Sequence, residues 1–135
     1  MSHPDITLST QTIHNPDEPR HFMRVKPVPR TVRVHRNGMT LAESQAALRV
    51  TEVGRDIYDP VFYLPQGDIM APLIPVEGKG THCPLKGDAR YFRVEGSDDP
   101  IAWSYAAAFD FAEVLSGLIA FYPDEVTVEE IGPGS

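Results

Sequence analysis

A chain of 135 residues has the length of one domain, and a 41% hydrophobic content with 9% aromatics is enough to fill one core. The 19 acidic residues outnumber 12 basic ones for a formal charge of −7, so nucleic acid and anionic membrane surfaces are repelled on average and neither is an expected partner. No run approaches the roughly 20 apolar residues of a membrane span, and the opening MSHPDITLST lacks the basic and apolar regions of a signal peptide, which points to a cytoplasmic protein.

Ile6 to Leu8 is the first strand candidate. His14 to Pro29 follows, and Pro16, Pro19, Pro27 and Pro29 within it argue against a helix or a central strand. It reads as an extended, locally basic arm (residues 1–31 with the first strand), with Phe22 and Met23 as anchors, either solvated or docked on a second subunit. From Val32 the pattern becomes that of a domain extending to residue 131. Val32 and Val34 alternate with polar residues, Asn37-Gly38 supplies a type I′ turn and Met39 to Glu43 returns, which specifies a β-hairpin.

Ala47 to Glu52 repeats the strand pattern with Leu48 and Val50 on one face, and Val61 to Leu64, apolar on both faces, reads as a buried strand. Gly67-Asp68 fits a single helical turn, and Glu77 to Gly80 a flexible loop. Next comes Thr81 to Val94, THCPLKGDARYFRV, which holds the single cysteine. Cys83 and Pro84 lead into a turn, Gly87 is placed for a positive φ, and Lys86 is displayed there. Ala89 to Val94 then alternates, with Phe92 and Val94 on one face and Tyr91 and Arg93 on the other. Ile101 to Tyr105 carries Trp103 and Tyr105 on one face. Asp110 to Leu115 suggests a short helix capped by Asp110, with Phe111, Val114 and Leu115 inward. Leu118 to Tyr122 and Val126 to Ile131 read as two strands around a proline turn, before a frayed tail at 132–135. Many short strands and one helical turn specify an all-β domain.

Five blocks resemble the family called domain of unknown function 427: VRVHRNGMTLAES, PVFYLPQGDI, THCPLKGDARYF, IAWSYAAAF and IAFYPDEVTVEE. The similarity runs from about Val32 to Glu130, and the Pro-rich segment before it departs from the family pattern. The resemblance implies a small coiled-sheet fold of the β-tent kind. It also brings the label nucleotidyltransferase-like, although the sequence shows no clustered carboxylates of the sort that hold two magnesium ions.

Chemistry is sought first in the central stretch. A thiolate beside a cation has a lowered pKa, which makes Cys83 a candidate nucleophile with His82 and Lys86 nearby, while adjacent residues on an extended backbone point apart. A lone cysteine is also a common packed residue. Lys86-Gly87 lacks the upstream glycine of a phosphate loop, leaving one ammonium able to meet an anionic group. One cysteine cannot supply paired zinc knuckles, so no metal and no cofactor are expected. Tyr63, Tyr91, Trp103, Tyr105 and Tyr122 sit on neighbouring strands, each with a polar handle. Three readings follow. The first is a domain binding a small planar or anionic molecule, with Tyr91, Trp103 and Tyr105 as walls and His82, Lys86 and Arg90 as polar contacts. The second is a transferase or hydrolase using Cys83 or the His82/Lys86 pair, and the third a homodimeric interaction module.

Overall fold

The computed structural model describes residues 12–15, 17–54, 58–83 and 85–131. Eleven strands are described: β1 (Thr12–Asn15), β2 (Glu18–Pro27), β3 (Thr31–Arg36), β4 (Met39–Ser44), β5 (Leu48–Val53), β6 (Val61–Leu64), β7 (Ile74–Cys83), β8 (Gly87–Arg93), β9 (Ala102–Ser104), β10 (Ile119–Phe121) and β11 (Thr127–Ile131). Eight form one sheet in the order β1-β2-β5-β6-β10-β9-β8-β7, and three form a second in the order β11-β3-β4. Every strand pairing is antiparallel. The large sheet curls into a half-barrel, so the all-β single domain with a coiled sheet expected from the sequence is what the chain forms.

The sheet has two buried faces, because side chains alternate along each strand. On one face Leu64, Ala102, Ile119 and Phe121 pack against Val32, Val34, Leu41 and Ala42 of the small sheet. On the other, Val50, Tyr63, Ala89 and Ala120 gather with Met23, Leu85, Ala112 and Leu115. We call the second the tyrosine face. Strands covered on both sides explain why Val61 to Leu64 is apolar throughout.

The predicted hairpin is present as β3 and β4, with Asn37 and Gly38 at φ 51° and 79°, as a type I′ turn requires. The segment from His14 to Pro29 corrects the expectation that its prolines preclude a central strand. β2 pairs with β1 on one side and with β5 on the other, and Met23 is fully buried. The two prolines of β2 sit where the ladder does not need their missing N–H. Pro19 lies in the irregularity where pairing jumps from His14↔Phe22 to Asn15↔Glu18. Pro27 opposes Leu48 one position before Val28 N–H donates to Ala47 O, so alternation points its nitrogen away from β5.

Two further expectations change. The stretch read as a loop at Glu77 to Gly80 lies inside β7, at an irregularity between Pro75 and Gly80 that Gly78 accommodates with a φ of 74°. Asp110–Leu115 is a 3-10 segment kinked at Ala112, not a regular helix; Asp110 makes no cap, Val114 is exposed and Leu115 is buried. The turn at Gln66–Asp68 is also 3-10, and Asp68 accepts a 2.6 Å hydrogen bond from the Ser44 hydroxyl. The strand proposed at Ile6 to Leu8, Pro16, Pro84, the Phe111 side chain and the tail at 132–135 lie outside the described residues.

Candidate functional site

Lys86 is the residue whose environment departs furthest from expectation. A lysine at a hairpin turn is ordinarily solvated, yet this one retains only 6% exposure. Its backbone is pinned twice: Lys86 N–H donates to Cys83 O at 3.2 Å, closing the turn, and Lys86 O accepts from Phe109 N–H at 3.0 Å. Gly87 follows with a φ of 119°, and a Cβ there would meet Ala107 O at 3.4 Å. The side chain is thereby sent onto the tyrosine face. Its ammonium donates to Glu52 Oε1 and lies 5.7 Å from the centre of the Tyr105 ring.

Glu52 extends the side of β5 that carries Leu48 and Val50. The carboxylate is buried between Lys86 and His21, whose Nε2 lies 2.8 Å from Oε2. Burial pushes the Glu52 pKa up, but the charge and hydrogen bond of Lys86, with His21 contributing, outweigh it and hold the group below the usual carboxylate range. Burial likewise opposes the charge on Lys86, and Glu52 with Tyr105 reverses this, so the lysine pKa ends raised. Both groups therefore stay ionised in the interior.

Aromatic side chains complete the site. Tyr63 is buried, packs edge-on to Trp103 at 6.2 Å, and burial raises its phenol far above the ordinary value, as it does for Tyr105. Trp103 lies 4.5 Å from Tyr122, which in turn stands parallel to Tyr91 at 6.4 Å. Burial, then Tyr91, pushes the Tyr122 pKa up to about 12. The Tyr91 hydroxyl shares a 2.6 Å hydrogen bond with Thr81. A pocket of about 190 Å³ opens on this face, with Lys86 and Glu52 at its floor, Val50, Val61, Tyr63 and Trp103 as walls, and Tyr58 and Asp59 at its mouth. Backbone hydrogen bonding of Tyr58 N–H to Glu52 O at 3.1 Å sets Tyr58 beside the carboxylate. Two larger clefts, about 230 and 290 Å³, lie on the other face and carry no charged side chain to orient a ligand.

The residues singled out in the sequence divide between the two faces. Lys86, Tyr91, Trp103 and Tyr105 belong to the tyrosine face, and half-buried Cys83 packs against the same core. His82 and Arg90 alternate with Cys83 and Tyr91 and are exposed. His82 bonds Asp88 at 2.8 Å and packs against Phe109 at 5.6 Å, so His82 and Lys86 do not meet as an acid-base pair. Sequence reasoning missed Glu52, His21, Tyr58 and Asp59. The legible signal was Glu52, an acid continuing the apolar face of Leu48 and Val50. Among the described residues no group of three or more His, Cys, Asp or Glu side chains is placed to hold a metal ion, and no helix is long and apolar enough to cross a membrane.

The model of the family described as "Domain of unknown function (DUF427)" matches residues 24–132, from inside β2 to just past β11. No curated protein matches the chain significantly.

Proposed function

We propose that this chain, which belongs to the DUF427 family, binds a small planar molecule in the pocket between Tyr63, Trp103 and the Lys86–Glu52 pair. The observation that carries the reading is an ion pair buried at the floor of an aromatic-walled pocket. Such a pair is weak evidence for stability, because a packed hydrophobic pair is often as good or better. Ionised groups with perturbed pKa values in a pocket are instead enriched at functional sites. At about 190 Å³ the pocket is smaller than the roughly 300–1,000 Å³ of drug-sized sites, which suits a ligand of one ring. The half-buried Trp103 and the buried Tyr63 give flat apolar surface for it, while Lys86 and Glu52 fix its orientation.

Trp103 is the sole tryptophan of the chain, so its fluorescence reports on a wall of this pocket. A thermal-shift screen of planar fragments, read in parallel by tryptophan emission, tests the proposal. Fragments that raise the melting temperature should change Trp103 emission saturably. Stabilising fragments that leave that emission unchanged would place the binding elsewhere and overturn it.

A further inference from the structure

Donor and acceptor counting at the pocket floor narrows the ligand class. An ammonium has three N–H donors, and the described hydrogen bond of Lys86 uses one of them, to Glu52. A carboxylate offers about four acceptor positions, and those described on Glu52 are taken by Lys86 and His21. Among the described residues, the floor therefore presents a spare donor beside a spare acceptor. Its charge is already balanced there, and Asp59 adds a carboxylate at the mouth of a chain whose net charge is −7. Among the described residues, an incoming anion would meet two carboxylates for one ammonium, and an incoming cation, though drawn by them, would have no acceptor to offer the spare Lys86 donor. A neutral group escapes both penalties.

Resting on the reading of this pocket as a ligand site, we infer that the ligand is a neutral planar lactam, a ring in which a carbonyl stands next to an N–H. The carbonyl accepts from Lys86 while the neighbouring N–H donates to Glu52, and the ring packs against the wall formed by Tyr63 and Trp103. Both hydrogen bonds are charge-assisted and roughly twice as strong as neutral ones. A carboxylate such as benzoate can use the first contact only, and an amidinium the second only. The anionic alternative drawn from Lys86 as an isolated ammonium thus gives way once Glu52 is found at its side.

The test uses five single-ring probes of similar size, followed by protein NMR titration of the full chain: 2-pyridone, N-methyl-2-pyridone, benzoate, benzamidinium and toluene. The expected result is that 2-pyridone binds best and that N-methylation, which removes the N–H but keeps the ring and carbonyl, weakens it about 10-fold. Lys86→Met, which removes the partner of the carbonyl and leaves that of the N–H, should also weaken 2-pyridone about 10-fold. If benzoate or benzamidinium binds best, or if N-methylation has no effect, the lactam inference is overturned while the pocket stands. If none of the five shifts resonances of Tyr63 or Trp103, the pocket reading falls with it. The N-methyl comparison needs no variant, so it decides the matter even if Lys86→Met does not fold.

Discussion

Replacing Lys86 with methionine keeps the bulk of the side chain and removes the charge, leaving Glu52 buried beside His21. Breaking a buried pair by deleting one partner costs about 3–5 kcal/mol, because the remaining charge is uncompensated. The Glu52 side chain is 16% exposed and its second oxygen still contacts His21, so the lower end, about 3 kcal/mol, is the expected loss at pH 7. For a chain of this length that corresponds to a fall of roughly 10 °C in melting temperature. The pH dependence makes the test specific. In the parent, the Glu52 pKa is lowered by folding, so its contribution is complete above the unfolded value and disappears as pH falls through the folded one. In the variant, burial acts without Lys86 and raises the Glu52 pKa, so acidification neutralises the stranded charge and the deficit shrinks. The two stability curves, from urea titrations between pH 3.5 and 8, should therefore converge at the acid end. Adding Glu52→Leu to Lys86→Met should also recover most of the loss at pH 7. A cost below about 1 kcal/mol at pH 7, typical of exposed pairs, would refute the reasoning.

Two other outcomes test the fold. Met23→Ala should cost about 2–5 kcal/mol, since Met23 is fully buried on a strand paired on both sides, and trypsin should cut slowly at Arg20 and Arg24; rapid cleavage there with no loss of stability would return the segment to a free arm. Gly87→Ala should destabilise by about 1–3 kcal/mol in chemical denaturation, because a non-glycine residue is strained at φ 119° and its methyl crowds Ala107 O; a neutral result would mean that the turn relaxes.

What the sequence disclosed was whatever depends on near neighbours. Asn37-Gly38 sets the hairpin turn through its own dihedral preferences, and Gly87 was placed correctly at positive φ for the same reason. The alternation that separates Phe92 from Tyr91 also held, because a strand period of two is intrinsic. What stayed hidden depends on register and on distant partners. Pro19 and Pro27 looked prohibitive because sequence does not say which way a nitrogen faces in a ladder. Lys86 read as a displayed cation because its partner is 34 residues away, on a strand whose neighbour relations emerge only in the folded sheet. His82 stood out beside Cys83 and Lys86, and alternation carried it to the outer side.

β10, three buried residues from Ile119 to Phe121, has a role out of proportion to its length. On one side of it lie β1, β2, β5 and β6, on the other β9, β8 and β7, and it is the seam between them. From β5 to β8 is four strand spacings, an arc of about 19 Å along the sheet, yet the Lys86 ammonium touches the Glu52 carboxylate. The pair is thus a tie across an arch, and the pocket opens over it. Tyr63 belongs to one limb of the arch and Trp103 to the other. Both limbs precede the seam in the chain, so a polypeptide ending before Ile119 would contain every residue that lines the pocket and could not assemble it.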